Sequence, residues 1–227
     1  MLLSVLIPCY NEQDSVGDVL VRLEQVDIPV PKEVIVIDDG SSDASPDIVS
    51  RHSSVRLIRH QRNLGKGAAI RTGIQESKGE VLLIQDADME YFPDDIPSLL
   101  RPLLRNEADF VLGSRIRGTR RGMSLTHLVG NLFLSLAVTI LFAKLVTDLA
   151  TGYKIFRREV LQECAPVSSD FVMDAEIVAK ALKKGYRLRE IPIRYEYRRT
   201  GVSKIRLRHG VVSLLQILRV RAGSPRV

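Results

Sequence analysis

Three acids spaced two apart close an apolar run in the segment Val81-Leu82-Leu83-Ile84-Gln85-Asp86-Ala87-Asp88-Met89-Glu90. If the backbone stays extended past Ile84, Asp86 and Asp88 project their carboxylates to the same side. Carboxylates so placed repel unless a cation or a basic side chain stands between them, and hard oxygen donors favour Mg2+ or Mn2+. Glu90 is spaced to join as a third ligand. An ion held this way accepts phosphate oxygens at its open positions, which would make the acid pair an anchor for a diphosphate. The competing reading is a charged surface turn.

A second acidic stretch, Asp38-Asp39-Gly40-Ser41-Ser42-Asp43, follows the apolar run Val34-Ile35-Val36-Ile37. An acid at the end of an early strand in a nucleotide-binding sheet can accept hydrogen bonds from ribose or base. An Asx turn capping the next helix, with Ser45-Pro46 as cap and first-turn pair, suits the same residues. Arg62-Asn63-Leu64-Gly65-Lys66-Gly67 is friendly to phosphate but lacks the spacing of a P-loop.

The elements that must position these groups alternate. Strand-like runs at Leu3–Ile7, Val34–Ile37, Val55–Ile58, Val81–Ile84 and Phe110–Leu112 are separated by helical patterns, such as Val16, Val19, Leu20 and Leu23 after an Asn11 cap. Continuous apolar strands joined by helices predict an α/β fold: a mostly parallel central sheet covered on both faces, with ligands at the carboxyl ends of the strands. From about Gly113 the rhythm breaks into a loop with Arg115, Arg117, Arg120 and Arg121, then an uncharged stretch from Gly122 to Ala143. Its purely apolar part falls short of the ~20 residues a membrane span needs. His127, Asn131, Ser135 and Thr139 recur every fourth residue on one stripe, so an amphipathic interfacial helix and a buried core helix both remain open. A helix around Asp174–Lys184, a strand near Arg187–Tyr195 and a basic-ended helical tail from Lys204 to Arg221 complete the chain.

Charge divides unevenly. Residues 1–113 carry 11 basic and 19 acidic side chains, a net of -8, and residues 114–227 carry 22 and 8, a net of +14. An acidic half with clustered carboxylates suits metal binding, and a basic half suits phosphates or an anionic membrane face. Nucleic acid is not expected as a partner, because only 5% of residues are aromatic and no stacking motif accompanies the charges. Cys9 and Cys164 give neither a disulfide framework nor a metal spacing, consistent with a reducing compartment. The N-terminus reads as a first strand instead of a signal peptide.

Taken in order, Pro8-Cys9-Tyr10-Asn11-Glu12, Asp38-Asp39-Gly40-Ser41, Asn63-Leu64-Gly65-Lys66-Gly67, Gly79-Glu80, Asp86-Ala87-Asp88 and Gly113-Ser114-Arg115 resemble family 2 glycosyltransferases of GT-A fold. Thr151-Gly152-Tyr153-Lys154, Met173-Asp174-Ala175-Glu176 and Arg198-Arg199-Thr200-Gly201-Val202-Ser203-Lys204 extend the resemblance to the polyprenyl-phosphate branch. It implies one domain, with residues 1–113 as the nucleotide-sugar-binding half and 114–227 as the acceptor-binding and membrane-associated half. It also implies that Pro8, Tyr10, Glu12, Ile37 and Asp39 hold the nucleoside. Asp86, Ala87 and Asp88 meet ribose, metal and diphosphate, and Glu90 helps to hold the Mg2+ or Mn2+. Arg115, Arg198 and Lys204 face the phosphates of donor and acceptor.

The reaction so implied is metal-dependent, inverting transfer of a hexose to a polyprenyl (dolichyl) phosphate, with mannose from GDP-mannose as the expected donor and UDP-glucose as the alternative. The catalytic set is then Asp86, Asp88 and Arg115. A phosphate oxygen is already anionic and attacks without a general base; Asp174 and Glu176 are the carboxylates placed to act if one exists. With no tryptophan, the chain cannot carry the Gln-x-x-Arg-Trp signature of processive synthases. The expected place is the cytoplasm, peripheral on the cytoplasmic membrane face. The rivals are a family 2 enzyme with a saccharide acceptor, a nucleotidyltransferase and a non-enzymatic membrane-surface module.

Overall fold

The computed structural model describes residues 1–168, 170, 172–198 and 207–223, with backbone only at 207 and 208. Among these residues a sheet of seven strands runs through the molecule: β1 (Leu3–Cys9), β2 (Lys32–Asp38), β3 (Val55–Arg59), β4 (Val81–Ile84), β5 (Phe110–Arg121), β6 (Lys154–Arg157) and β7 (Leu188–Glu196), in the order β3-β2-β1-β4-β6-β5-β7. Only β6 runs against its neighbours. The helices are α1 (Val16–Gln25), α2 (Ser45–Ser50), α3 (Lys66–Glu76), α4 (Ile96–Leu104), α5 (Leu125–Phe142), α6 (Arg158–Cys164), α7 (Val172–Lys183) and α8 (Leu207–Ala222).

Successive strand side chains point to opposite faces, so a sheet covered on both sides needs apolar residues at every position. Val5, Ile7, Val34, Val36 and Leu83 pack on one face with Val19, Leu20 and Leu23 of α1 and Leu99, Leu100 and Leu103 of α4. Leu6, Ile35, Ile37, Leu82 and Ile84 pack on the other with α3, α5, α7 and Ile217 of α8. The ends of β1, β2 and β4 therefore open on one edge of the sheet. The reversed direction of β6 matters for that edge, because it brings the start of the strand, where Ile84 is registered with Lys154, beside the end of β4.

Three expectations are corrected. The arginine-rich stretch after Gly113 is strand, not loop: β5 continues to Arg121 and pairs with β7 past an irregularity between Ser114 and Thr119. Asn11 does not cap α1, which begins at Val16; it lies at φ 51° and its Oδ1 accepts a hydrogen bond from Ser42 N, tying the β1 end to the loop after β2. The plain core-helix reading of α5 also fails, since Leu125, Val129, Leu132, Phe133, Leu136 and Ile140 are exposed. Its polar stripe faces inward from Asn131 onward, while His127 is exposed: Asn131 Oδ1 accepts from Ala150 N, Ser135 Oγ accepts from Leu149 N, and Thr139 Oγ1 bonds both N–H and C=O of Val146.

Candidate active site

Beyond Ile84 the chain turns sharply, with Met89 in the left-handed region at φ 58° and Glu90 N donating to Asp88 Oδ1. A non-glycine residue held there costs free energy that the surrounding structure must offset, a state that clusters at functional loops. Asp86, Asp88 and Glu90 are half-buried and within reach of one another's charge. Burial, followed by the charges of Asp86 and Glu90, pushes Asp88 up to about 7, while Arg198 pulls the other way. Glu90 is also raised, first by burial. The expected ligand trio does not converge, however. Among the described residues no three His, Cys, Asp or Glu side chains gather in metal-binding geometry. Glu90 is turned aside because Tyr195 Oη donates to its Oε2 at 3.0 Å and Arg198 N to its Oε1 at 3.3 Å.

Asp86 is answered by Lys66, the first residue of α3, whose Nζ lies 2.6 Å from its Oδ1 and 3.9 Å from Asp174 Oδ2. Burial lowers the pKa of Lys66, but the two aspartates more than restore it and hold the ammonium charged. On the far side of Asp174 stands Lys154, fully buried, 2.8 Å from Oδ1 and also donating to Thr151 O. Burial would raise the pKa of Asp174, yet Lys154 and Lys66 hold it below the ordinary carboxylate range. It is therefore a counter-ion and a poor base. Glu176 is also structural: it accepts from Val167 N and Ser168 N and pairs with Lys180. Gly152 closes this wall of the site, because a Cβ there would overlap Asp86 Oδ2.

Of the three cations expected to face phosphate, Arg115 and Arg198 are each paired with a carboxylate. Arg115 forms a bidentate pair with buried Asp148, Nε to Oδ2 at 2.8 Å and Nη2 to Oδ1 at 2.7 Å, and its guanidinium lies over the ring of Tyr195. Arg198 Nη2 sits 2.6 Å from Glu12 Oε2 and 3.9 Å from Asp88 Oδ2. Lys204 lies outside the described residues. Arg115 is linked to Glu90 through the ring and hydroxyl of Tyr195, and Arg198 through its backbone N–H.

At the nucleoside end, Asp39 accepts from His60 Nδ1, Leu64 N and Gly65 N at 2.7, 3.0 and 2.8 Å. It therefore shapes the loop that delivers Lys66. Gly40 makes this possible at φ +74°, since a Cβ would collide with the backbone of Arg62 and Asn63. The side chain of Ile37 is fully buried against Gly73 of α3, so its backbone is the part placed to meet a nucleoside. Ala87 is also a core side chain, whereas Pro8, Tyr10 and Glu12 keep partial exposure at the edge.

Residue spacing does not reveal Asp148, Lys66 as a counter-ion, or the packed tyrosines 153, 91 and 195 beneath the acids. Lys66 stands inside a glycine-flanked motif whose polarity is legible, but its partners belong to the β4 end and α7. Tyr91 Oη accepts from Gly152 N, a contact across the sheet edge that no local pattern announces.

Residues 4–165 match the sequence profile of glycosyl transferase family 2. The chain belongs to that family. This family 2 transferase is 28% identical over 221 residues to the UDP-N-acetylglucosamine–dolichyl-phosphate N-acetylglucosaminyltransferase of Methanococcus voltae, covering 86% of each chain. It is 27% identical over 215 residues to the dolichol-phosphate mannosyltransferase of Pyrococcus furiosus, covering 91% of this chain and 60% of that one. In three dimensions it matches glucosyl-3-phosphoglycerate synthase from Mycobacterium tuberculosis, solved with Mn2+, UDP and glucosyl-3-phosphoglycerate, at a TM-score of 0.75 and 20% identity over 99% of this chain and 81% of that chain. The sheet and its flanking helices are thus those of a GT-A glycosyltransferase.

Proposed function

We propose that this glycosyltransferase moves a hexose from a nucleotide sugar to a polyprenyl phosphate, with inversion. The observation that carries the reading is Asp88, a half-buried carboxylate near the charges of Asp86 and Glu90 whose nearest described cation is Arg198 Nη2 at 3.9 Å. A site in that condition favours a cation, and the hard oxygens of Asp86 and Asp88 suit Mg2+ or Mn2+. When bound, such an ion supplies neutralisation of the departing diphosphate. Lys66 holds Asp86 in place, and Arg198 and the donors of Arg115 not directed at Asp148 draw phosphate oxygens to the acids. An acceptor phosphate oxygen attacks the anomeric carbon as the bond to the nucleoside diphosphate breaks, and the electron pair leaves with that diphosphate. No proton needs to be removed, in keeping with the depressed Asp174.

The lipid side of the proposal rests on α5 and α8, which pack together. Leu132, Phe133, Leu136 and Ile140 of α5, Leu145 after it, and Val211, Val212, Leu215 and Leu218 of α8 are exposed. Exposed Lys144 and Arg121 and the Arg219 and Arg221 turn of α8 supply positive charge. An apolar face of this extent with basic flanks suits an anionic membrane surface, and the proposed location is peripheral, on the cytoplasmic face.

GDP-mannose is the proposed donor, on the resemblance around Gly201-Val202-Ser203-Lys204 and the Pyrococcus relative. A UDP-sugar donor is the second reading, favoured by the Methanococcus relative that matches over most of both chains. A panel of labelled nucleotide sugars with polyprenyl phosphate and Mg2+ or Mn2+ tests both. Lipid-linked sugar as product supports the proposal, and transfer only to saccharide acceptors sinks it. Sedimentation with anionic vesicles, lost in Phe133→Glu, tests the lipid face.

A further inference from the structure

Two buried carboxylates lie in series behind Arg115. Glu190 of β7 accepts from Thr147 N at 2.9 Å, Thr147 Oγ1 at 2.8 Å and Asp148 N at 3.1 Å, which fixes the backbone that carries Asp148. Asp148 in turn accepts from Arg115 three times, once from the backbone N–H and twice from the side chain. The guanidinium so held lies over Tyr195, 5.2 Å from its centroid, and the Tyr195 hydroxyl reaches Glu90. The loop bearing Thr147 and Asp148 is itself fastened to α5 through Asn131, Ser135 and Thr139. The same helix exposes its opposite apolar face.

We infer that Asp148 is a positioning residue for glycosyl transfer: from a loop whose placement α5 sets, it holds the Arg115 guanidinium over Tyr195 and back from the acids of the β4 end, which keeps the donors not bonded to Asp148 available to phosphate. A free arginine at this depth would turn to the nearest anion, and Asp86, Asp88 and Glu90 supply several. The bidentate pair prevents that collapse, since two parallel charge-assisted bonds fix both the distance and the plane of the guanidinium. The neutral isostere in Asp148→Asn would lose the matched fork and release Arg115 towards the acids. The polar stripe of α5 acquires a purpose on this reading, because a helix seated on lipid presents an ordered inner seam to the loop. The inference rests on the proposed phosphate-binding role of Arg115.

Four proteins test it: wild type, Asp148→Asn, Arg115→Lys and the double variant, assayed with the donor and acceptor that the wild type accepts. Each single change is expected to lower kcat/KM for the donor tenfold or more, and the double variant should be no slower than the worse single, as for residues acting as one unit. Wild-type kcat/KM in folded Asp148→Asn, or losses that multiply in the double variant, would overturn the inference. Should Asp148→Asn fail to fold, Ser135→Ala, which removes one seam bond, is expected to lower donor kcat/KM about threefold; a wild-type value there counts against it. Thermal shift by UDP or GDP with Mn2+ on the same proteins gives a readout besides sugar transfer. Equal reduction of the shift in both singles and the double supports positioning even where no sugar is transferred, and a full shift in Asp148→Asn refutes it.

Discussion

Two strand ends, after β2 and after β4, look alike in sequence and differ in physical state. At the first, Asp39 is buried and its carboxylate accepts two backbone N–H bonds and one from a histidine ring. At the second, Asp88 is raised to about 7 by burial and by its acidic neighbours. Carboxylates with a full set of donors build structure, whereas carboxylates left in mutual repulsion wait for a cation. The difference lies in what the next loop supplies. The loop at Leu64 and Gly65 turns its N–H groups inward, while the left-handed turn at Met89 brings more acid to the site.

The contrast is most exposed to test at Asp88. Asp88→Asn is expected to reduce kcat by about 10^2 to 10^3, the scale of losing one preorganised electrostatic contact in a transition state. The same change should stabilise the metal-free protein at pH 8. A carboxyl whose folded pKa is raised binds protons more tightly when folded, so it costs stability as pH climbs from its ordinary value of 3.8 through about 7. Melting temperatures of the two proteins should differ most above pH 7 and converge near pH 4. Equal melting curves at every pH would mean that Asp88 is as well satisfied as Asp39.

Gly152→Ala comes next. The new Cβ displaces the Asp86 carboxylate, and a loss of roughly tenfold or more in kcat is expected from a shift of that size at the reacting centre, with the urea midpoint little changed. At Asp39 the order reverses: Asp39→Asn replaces one accepting oxygen by an amide that cannot accept, and a stability loss of about 1–3 kcal/mol is expected, read by urea unfolding. The smallest signal is at a third strand end. Burial, then the charge of Asp38, pushes the Cys9 thiol up to about 12, so the folded protein at pH 8 should take up almost no iodoacetamide there, and labelling at the unfolded rate would contradict that environment.

Much of this arrangement is legible in the residue pattern. The apolar runs at Val5–Ile7, Val34–Ile37 and Val81–Ile84 have no polar alternation, which in a folded α/β chain requires cover on both faces and hence crossover helices. Acid placement at the ends of such runs follows from the same fact, because only there does the strand meet water. The arginines after Gly113 are harder to read: exposure alternates only along Ile116–Thr119, and several like charges in succession resemble a loop. The inward purpose of Asn131, Ser135 and Thr139 is hidden because a polar stripe on an apolar helix fits water and a buried backbone loop equally well.

From residue order alone follow the layering of the fold and the edge on which chemistry occurs, since the continuous apolar runs of β1, β2 and β4 need cover on both faces. Which charges are answered is a matter of tertiary contact. Arg115 and Asp148 are 33 residues apart and meet because β5 and the loop before β6 lie side by side. Lys66 reaches Asp86 because Asp39 shapes its loop, and Glu90 is drawn from the other two acids by Tyr195, 105 residues away. Ion pairing depends on distances of a few ångströms, and those distances are set by sheet register and crossover packing, which no local spacing encodes.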